Sequence, residues 1–125
     1  MPHLLLVMLG GAVGAGCRYG VGQIAAARLG TGFPWGTFIV NLTGGLFAGA
    51  LVGLLLGAGD RIEPLRLFLG VGLLGGFTTF SAFSIETADM LQRGQFGTAL
   101  FYALSSVTGA VTMLFLGLWL ARAAT

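Results

Sequence analysis

Hydropathy divides the chain into four apolar runs, residues 4–27, 35–56, 65–91 and 96–120, with little more than a turn between one and the next. Each run has roughly the 20 residues that an α-helix needs to cross the hydrocarbon of a bilayer. In lipid every backbone polar group must find its partner within the protein, so runs of this kind fold as helices. The fold class that follows is an all-α membrane protein with four transmembrane helices. It is a single integral membrane domain over residues 1–125, with its neighbouring helices antiparallel because the links are short. Charged residues are only 8% of the chain and mean hydropathy is +0.95, so no soluble domain is expected beside the spans. The first run has no basic head and carries Arg18 where a signal peptide would be cleaved, which argues against a removable leader.

All six basic residues are arginines, and a net charge of +2 spread over the chain points away from nucleic acid as a partner. With the N-terminus inside, Arg61, Arg66 and Arg122 fall on the inner face and Arg28 and Arg93 on the outer. So small a bias predicts insertion both ways round, in which case two copies can pair head-to-tail about an axis in the membrane plane. Four short helices enclose little interior, which also favours an oligomer. The lone Cys17 excludes an internal disulfide and reads as a small packing residue.

Glycines carry the helix contacts. Gly45, Gly49, Gly53 and Gly57 recur every fourth residue in the second run, and Gly10/Gly14, Gly16/Gly20 and Gly72/Gly76 repeat that spacing elsewhere. Such stripes let backbones approach closely where no hydrophobic force drives helices together.

No enzyme constellation is present. His3 reads as a tail residue, and one histidine with one cysteine cannot build a zinc site. No serine sits in a nucleophile elbow, and no glycine run precedes a lysine. Of the four acids, Asp60 and Glu63 fall in a link, while Glu86 and Asp89 lie near the far end of the third run. What remains is a polar inventory at membrane depth. Asn41 is about 9 Å into its run and serves either as interhelical glue or as a pathway donor. Tyr102 and Ser106 share one helical face, as do Ser105, Thr108 and Thr112. Arg18 either draws anions into a vestibule or ties the structure, and Glu86 either caps a polar track or pairs with an arginine.

The third run holds the sharpest anomaly, Gly75-Gly76-Phe77-Thr78-Thr79-Phe80-Ser81-Ala82-Phe83-Ser84. Irregular or polar backbone survives at this depth only where protein buries it or water reaches it. Gly75-Gly76 weakens a helix and Thr78-Thr79 can cap a new one, which predicts a third helix broken at mid-membrane. The carbonyl ends of the first half suit a bare cation; the N–H ends and hydroxyls of the second suit an anion. Phe80 and Phe83 follow on one face, and an aromatic ring has a positive edge that can contact a small anion.

These residues, with Gly36-Thr37-Phe38-Ile39-Val40-Asn41 and Gly14-Ala15-Gly16-Cys17-Arg18-Tyr19, resemble the Fluc (CrcB) fluoride channels of microbes. The resemblance covers the whole chain and all three motifs in order. It implies an antiparallel, dual-topology homodimer in the cell inner membrane, in contact with lipid, with two pores that let fluoride leave the cytoplasm passively. It also implies that Phe80, Phe83, Asn41, Tyr102 and Ser106 line the fluoride pathway, and that Arg18 favours the approach of anions. The backbone carbonyls of Gly75 and Thr78 would hold a structural sodium ion at the dimer centre. The family's run Thr-Thr-Phe-Ser-Thr-Phe departs at Ala82, so a hydroxyl on the polar track is missing or supplied by Ser81 or Ser84. The alternatives are a small dual-topology multidrug or cation exporter, which needs a buried acid that the first run lacks, and a structural membrane protein without transport.

Overall fold

The computed structural model describes residues 2–56 and 58–124. It places α1 at Pro2–Leu29, α2 at Trp35–Leu55, α3 at Arg66–Leu74, α4 at Phe80–Gln92 and α5 at Phe96–Ala124, with short helical turns at Asp60–Ile62, Glu63–Leu65 and Gly75–Phe77. Among the described residues there is no strand. Four stretches, Pro2–Leu29, Trp35–Leu55, Glu63–Gln92 and Phe96–Ala124, are long and apolar enough to cross a membrane.

Three of the four helical spans outrun the apolar limits of their runs, while α2 stays within its own. Hydropathy marks the part that suits hydrocarbon, whereas a helix continues until its backbone bonding is interrupted. His3 therefore lies in the first turn of α1, not in a tail. Gly30 ends α1 with φ of 85°, which a residue bearing a Cβ rarely adopts. The α4–α5 link closes on Gly94, with φ of 77°, while the Gln95 N–H reaches the Met90 carbonyl at 2.9 Å. This Schellman geometry satisfies carbonyls at the end of α4 and turns the chain back within three residues.

The glycine stripe on α2 receives α5. A Cβ at Gly45 would sit 2.7 Å from the Ala110 carbonyl oxygen, and one at Gly53 would sit 2.8 Å from the Ala121 Cβ. One at Gly49 would collide with the Leu114 carbonyl. Gly57, the fourth of the series, lies outside the described residues. Gly10 and Gly14 of α1 meet the third span around Gly72 and Leu73 in the same way.

Two expectations need correction. A Cβ at Gly16 or Gly20 would meet nothing within 4 Å, so their shared spacing marks no contact inside this subunit. Cys17, expected to fill a packing position, is exposed. Both follow from α1 being held along its other face, through Gly10, Gly14 and Ala25, which are buried.

In the third span α3 is wound as a π-helix, an unusually long one for a form that mostly occurs as single turns. Thr78 and Thr79 then leave helical geometry, with φ/ψ of −85°/157° and −151°/124°, before α4 begins. The Thr79 hydroxyl accepts the Ala82 N–H at 3.1 Å, satisfying one of the donors that the first turn of α4 leaves open.

Candidate functional site

Two rungs of polar groups cross between α2, α4 and α5. Thr37 and Asn41 lie four residues apart on α2, about 6 Å along its axis and on one face. Tyr102 and Ser106 repeat that interval on α5.

The outer rung centres on Glu86. Its Oε2 accepts the Thr37 hydroxyl at 2.9 Å and its Oε1 accepts the Tyr102 hydroxyl at 2.8 Å. Of the two roles left open for Glu86, these bonds show a carboxylate served by hydroxyls. The ion pair nearby is instead Arg93 with Asp89, one turn further along α4. Glu86 and Thr37 line a cavity of about 340 Å³ together with Asp89, Arg93, Thr31 and Gln95. This polar mouth opens where α1, α2, α4 and α5 end or begin. Tyr102 is fully buried, with its ring centroid 5.1 Å from that of Phe83 and 5.3 Å from that of Phe33.

The inner rung centres on Asn41. Its Nδ2 donates to the Thr79 carbonyl at 3.0 Å, and its Oδ1 accepts the Thr79 N–H at 2.8 Å. The side chain therefore pairs with the extended backbone as a neighbouring strand would. Asn41, Thr79, Phe80, Phe83 and Ser106 line a second cavity of about 480 Å³, whose walls also include Gly75 and Thr78. The Phe80 and Phe83 ring centroids are 5.7 Å apart with planes inclined by 39°. Ser106 Oγ is buried and has no hydrogen-bond partner. A buried polar atom without a partner is costly, and this one stands on the cavity wall.

The remaining candidates lie apart from these rungs. Arg18 Nε donates to the Gly76 carbonyl at 3.1 Å and is not on the wall of the Glu86 cavity, which favours its role as a tie. Ser81 faces outward with its hydroxyl 3.3 Å from that of Thr79, and the exposed Ser84 returns its hydroxyl to the Phe80 carbonyl at 2.9 Å. Neither lines either cavity. Thr108 and Thr112 are exposed, and Ser105 bonds back to Phe101, so that second face of α5 contributes nothing to the rungs. Thr37, which the sequence did not single out, is brought onto Glu86 by the fold. The available signal was its four-residue interval to Asn41.

Gly75 and Thr78 suit the chemistry of a sodium ligand set. Both lie on the wall of the larger cavity and offer neutral carbonyl oxygen, the donor type a hard monovalent cation takes. Among the described residues no group of three or more His, Cys, Asp or Glu is placed to hold a metal ion. Any cation here would rest on neutral oxygens.

An α-helical four-span bundle with polar groups strung between its helices and cavities at mid-span and at one end defines a multi-pass membrane protein of the channel or transporter class. The chain belongs to the CrcB family, matching "CrcB-like protein, Camphor Resistance (CrcB)" over residues 5–118. It is 51% identical over 122 residues to a Chelativorans protein (strain BNC1), covering 98% of each chain. It is 53% identical over 123 residues to one from Hyphomonas neptunium, covering 98% of this chain and 97% of the relative. Against one from Phenylobacterium zucineum it is 54% identical over 125 residues, with the same coverage. All three relatives bear the name Fluoride-specific ion channel FluC.

Proposed function

We propose that this chain is a fluoride-selective ion channel, not an enzyme, that lets fluoride leave the cytoplasm passively and so reduces fluoride toxicity. Family membership and relatives named as fluoride channels over nearly the full chain support the activity. They leave the multidrug-exporter alternative without support. The observation that carries the pathway is the wall shared by Asn41, Phe80, Phe83 and the partnerless Ser106 hydroxyl. Fluoride is small and strongly hydrated, so a selective path must replace its water with several donors, with no cationic side chain among them to hold it. The Ser106 hydroxyl, the free second hydrogen of Asn41 Nδ2 and the ring edges of the phenylalanines meet that requirement. In liposomes, fluoride efflux far faster than chloride efflux is the expected result; equal rates for both ions would overturn the reading.

The reading includes a third span broken at mid-membrane around Thr78-Thr79 and an antiparallel, dual-topology homodimer with two pores in the inner membrane, surrounded by lipid. Phe80 supports the dimer. It is 77% exposed in one subunit, and a pore wall needs something opposite that ring. A C-terminal tag found on only one side of the membrane would sink the dual topology. The same reading gives Gly75 and Thr78 a structural sodium ion at the dimer centre, which when bound supplies a fixed positive charge between the subunits.

At the smaller cavity, Thr37 and Tyr102 donate their hydroxyls to Glu86 and so fix where its carboxylate sits on the wall. Thr37→Val keeps the side chain's shape and removes one donor. Since a hydrogen bond to a charged group contributes about 1.5–3 kcal/mol, fluoride flux is expected to fall by about tenfold with the oligomer intact on size exclusion. Flux equal to the unsubstituted channel's would remove Thr37 from the pathway.

A further inference from the structure

We propose that Asn41 is the positioning residue of the sodium site, acting through the backbone of Thr78 and Thr79. The inference rests on the reading of Gly75 and Thr78 as the sodium-holding carbonyls and assigns the device that presents them.

In an uninterrupted α-helix the Thr79 N–H would bond to the carbonyl four residues earlier, that of Gly75. Here that N–H is committed to Asn41 Oδ1 at 2.8 Å, which releases the Gly75 oxygen from its helical donor. The same N–H shares one planar trans peptide with the Thr78 carbonyl, so the two point in opposite directions. Drawing the N–H toward α2 therefore aims the Thr78 oxygen away from it. One side-chain atom sets both carbonyls.

Three other carbonyls of the segment, those of Leu74, Gly76 and Thr79, are withdrawn by side chains. Asn41 Nδ2 holds the Thr79 oxygen at 3.0 Å and Arg18 Nε holds the Gly76 oxygen at 3.1 Å. The Leu74 oxygen receives both the N–H and the hydroxyl of Thr78, at 3.0 and 2.9 Å. Among residues 74–79 the side chains occupy the oxygens of Leu74, Gly76 and Thr79, and leave those of Gly75, Phe77 and Thr78; of these three, Asn41 acts on Gly75 and Thr78. Gly44 holds Thr78 from the same helix, since a Cβ there would collide with the Thr78 methyl group. The asparagine is thus first a clamp on the backbone, and only its second Nδ2 hydrogen is left for an anion.

The test is thermal unfolding of the purified full-length protein in detergent, with sodium chloride replaced stepwise by N-methylglucamine chloride at constant ionic strength. The unsubstituted protein is expected to melt higher as sodium rises, with a measurable half-maximal concentration. Asn41→Ala removes the acceptor for the Thr79 N–H and is expected to raise that concentration by about tenfold or more. Asn41→Asp keeps an oxygen facing the N–H, and its half-maximal concentration is expected at or below the unsubstituted value.

A role in packing alone would lower the melting temperature of Asn41→Ala at every sodium concentration and leave its midpoint within about twofold of the unsubstituted one, which would overturn the inference. Should the alanine variant not fold, a roughly tenfold rise in Asn41→Asp would overturn it equally. No sodium response in the unsubstituted protein would instead remove the sodium reading, a failure distinct from an unshifted variant beside a responsive parent.

Discussion

Phe80→Ile and Phe83→Ile are each expected to lower fluoride flux in liposomes by roughly 100-fold or more, a barrier increase of about 3 kcal/mol. Isoleucine keeps an apolar side chain at each position but has no ring and so no positive edge to offer an anion. The two positions differ in what else they touch. Phe80 is exposed and leans on Phe83, so its loss disturbs little inside the subunit. Phe83 also stacks at a tilt against Tyr102, which in turn serves Glu86. Some loss in the Phe83 variant can therefore pass through the outer rung, whereas loss in the Phe80 variant cannot. Size exclusion on both variants should report the elution of the unsubstituted protein. Undiminished flux in both would refute the pore assignment while leaving the family untouched.

Gly49→Val is the second large effect, and it falls on the fold. Two backbone groups of α5 occupy the place of the new side chain, the Leu114 carbonyl and the Leu118 N–H, the latter 2.9 Å from an ideal Cβ. Backbone cannot rotate aside as a flexible side chain does, so α2 and α5 must separate. Overpacking of this kind costs about 1–3 kcal/mol even where side chains can yield, and a branched residue against backbone should exceed that. The expected outcome is a large drop in the melting temperature in detergent, or no folded protein at all. Gly16→Ala is the counter-example, because nothing in its own subunit lies within 4 Å of its Cβ. It should melt at or above the unsubstituted temperature, since alanine favours a helix over glycine by about 1 kcal/mol. A Gly49→Val protein that melts normally would show that α2 and α5 do not meet as described.

The spans were legible because the solvent imposes a local rule: about twenty apolar residues in a row, with short links, leave few other folds. The polar segment at Gly75–Ser84 was legible for the same reason, as a local exception to that rule. Glycine spacing was only half legible. A four-residue interval marks a smooth stripe, and Gly45, Gly49 and Gly53 do receive α5, but Gly16 and Gly20 carry the same interval and meet nothing within their own subunit. An interval along one helix says nothing of what lies opposite. Thr37 was overlooked because a threonine can satisfy its hydroxyl on its own helix, as Thr43 does on the Ile39 carbonyl, and nothing local tells the two cases apart.

By itself, then, the sequence determined the class of fold, the four spans, the family and the residue types able to carry an anion, since each depends on composition or order along the chain. The tertiary structure decided which of those residues meet. It put Thr37 and Tyr102 on Glu86, set Asn41 on the Thr79 backbone, left Ser106 without a partner and turned Ser81 and Ser84 away from both cavities. Pairings of this kind span up to 49 positions in the chain, as from Thr37 to Glu86, and depend on how far each helix is rotated about its axis. That rotation is set by backbone contact at the glycine stripes, which hydropathy does not encode.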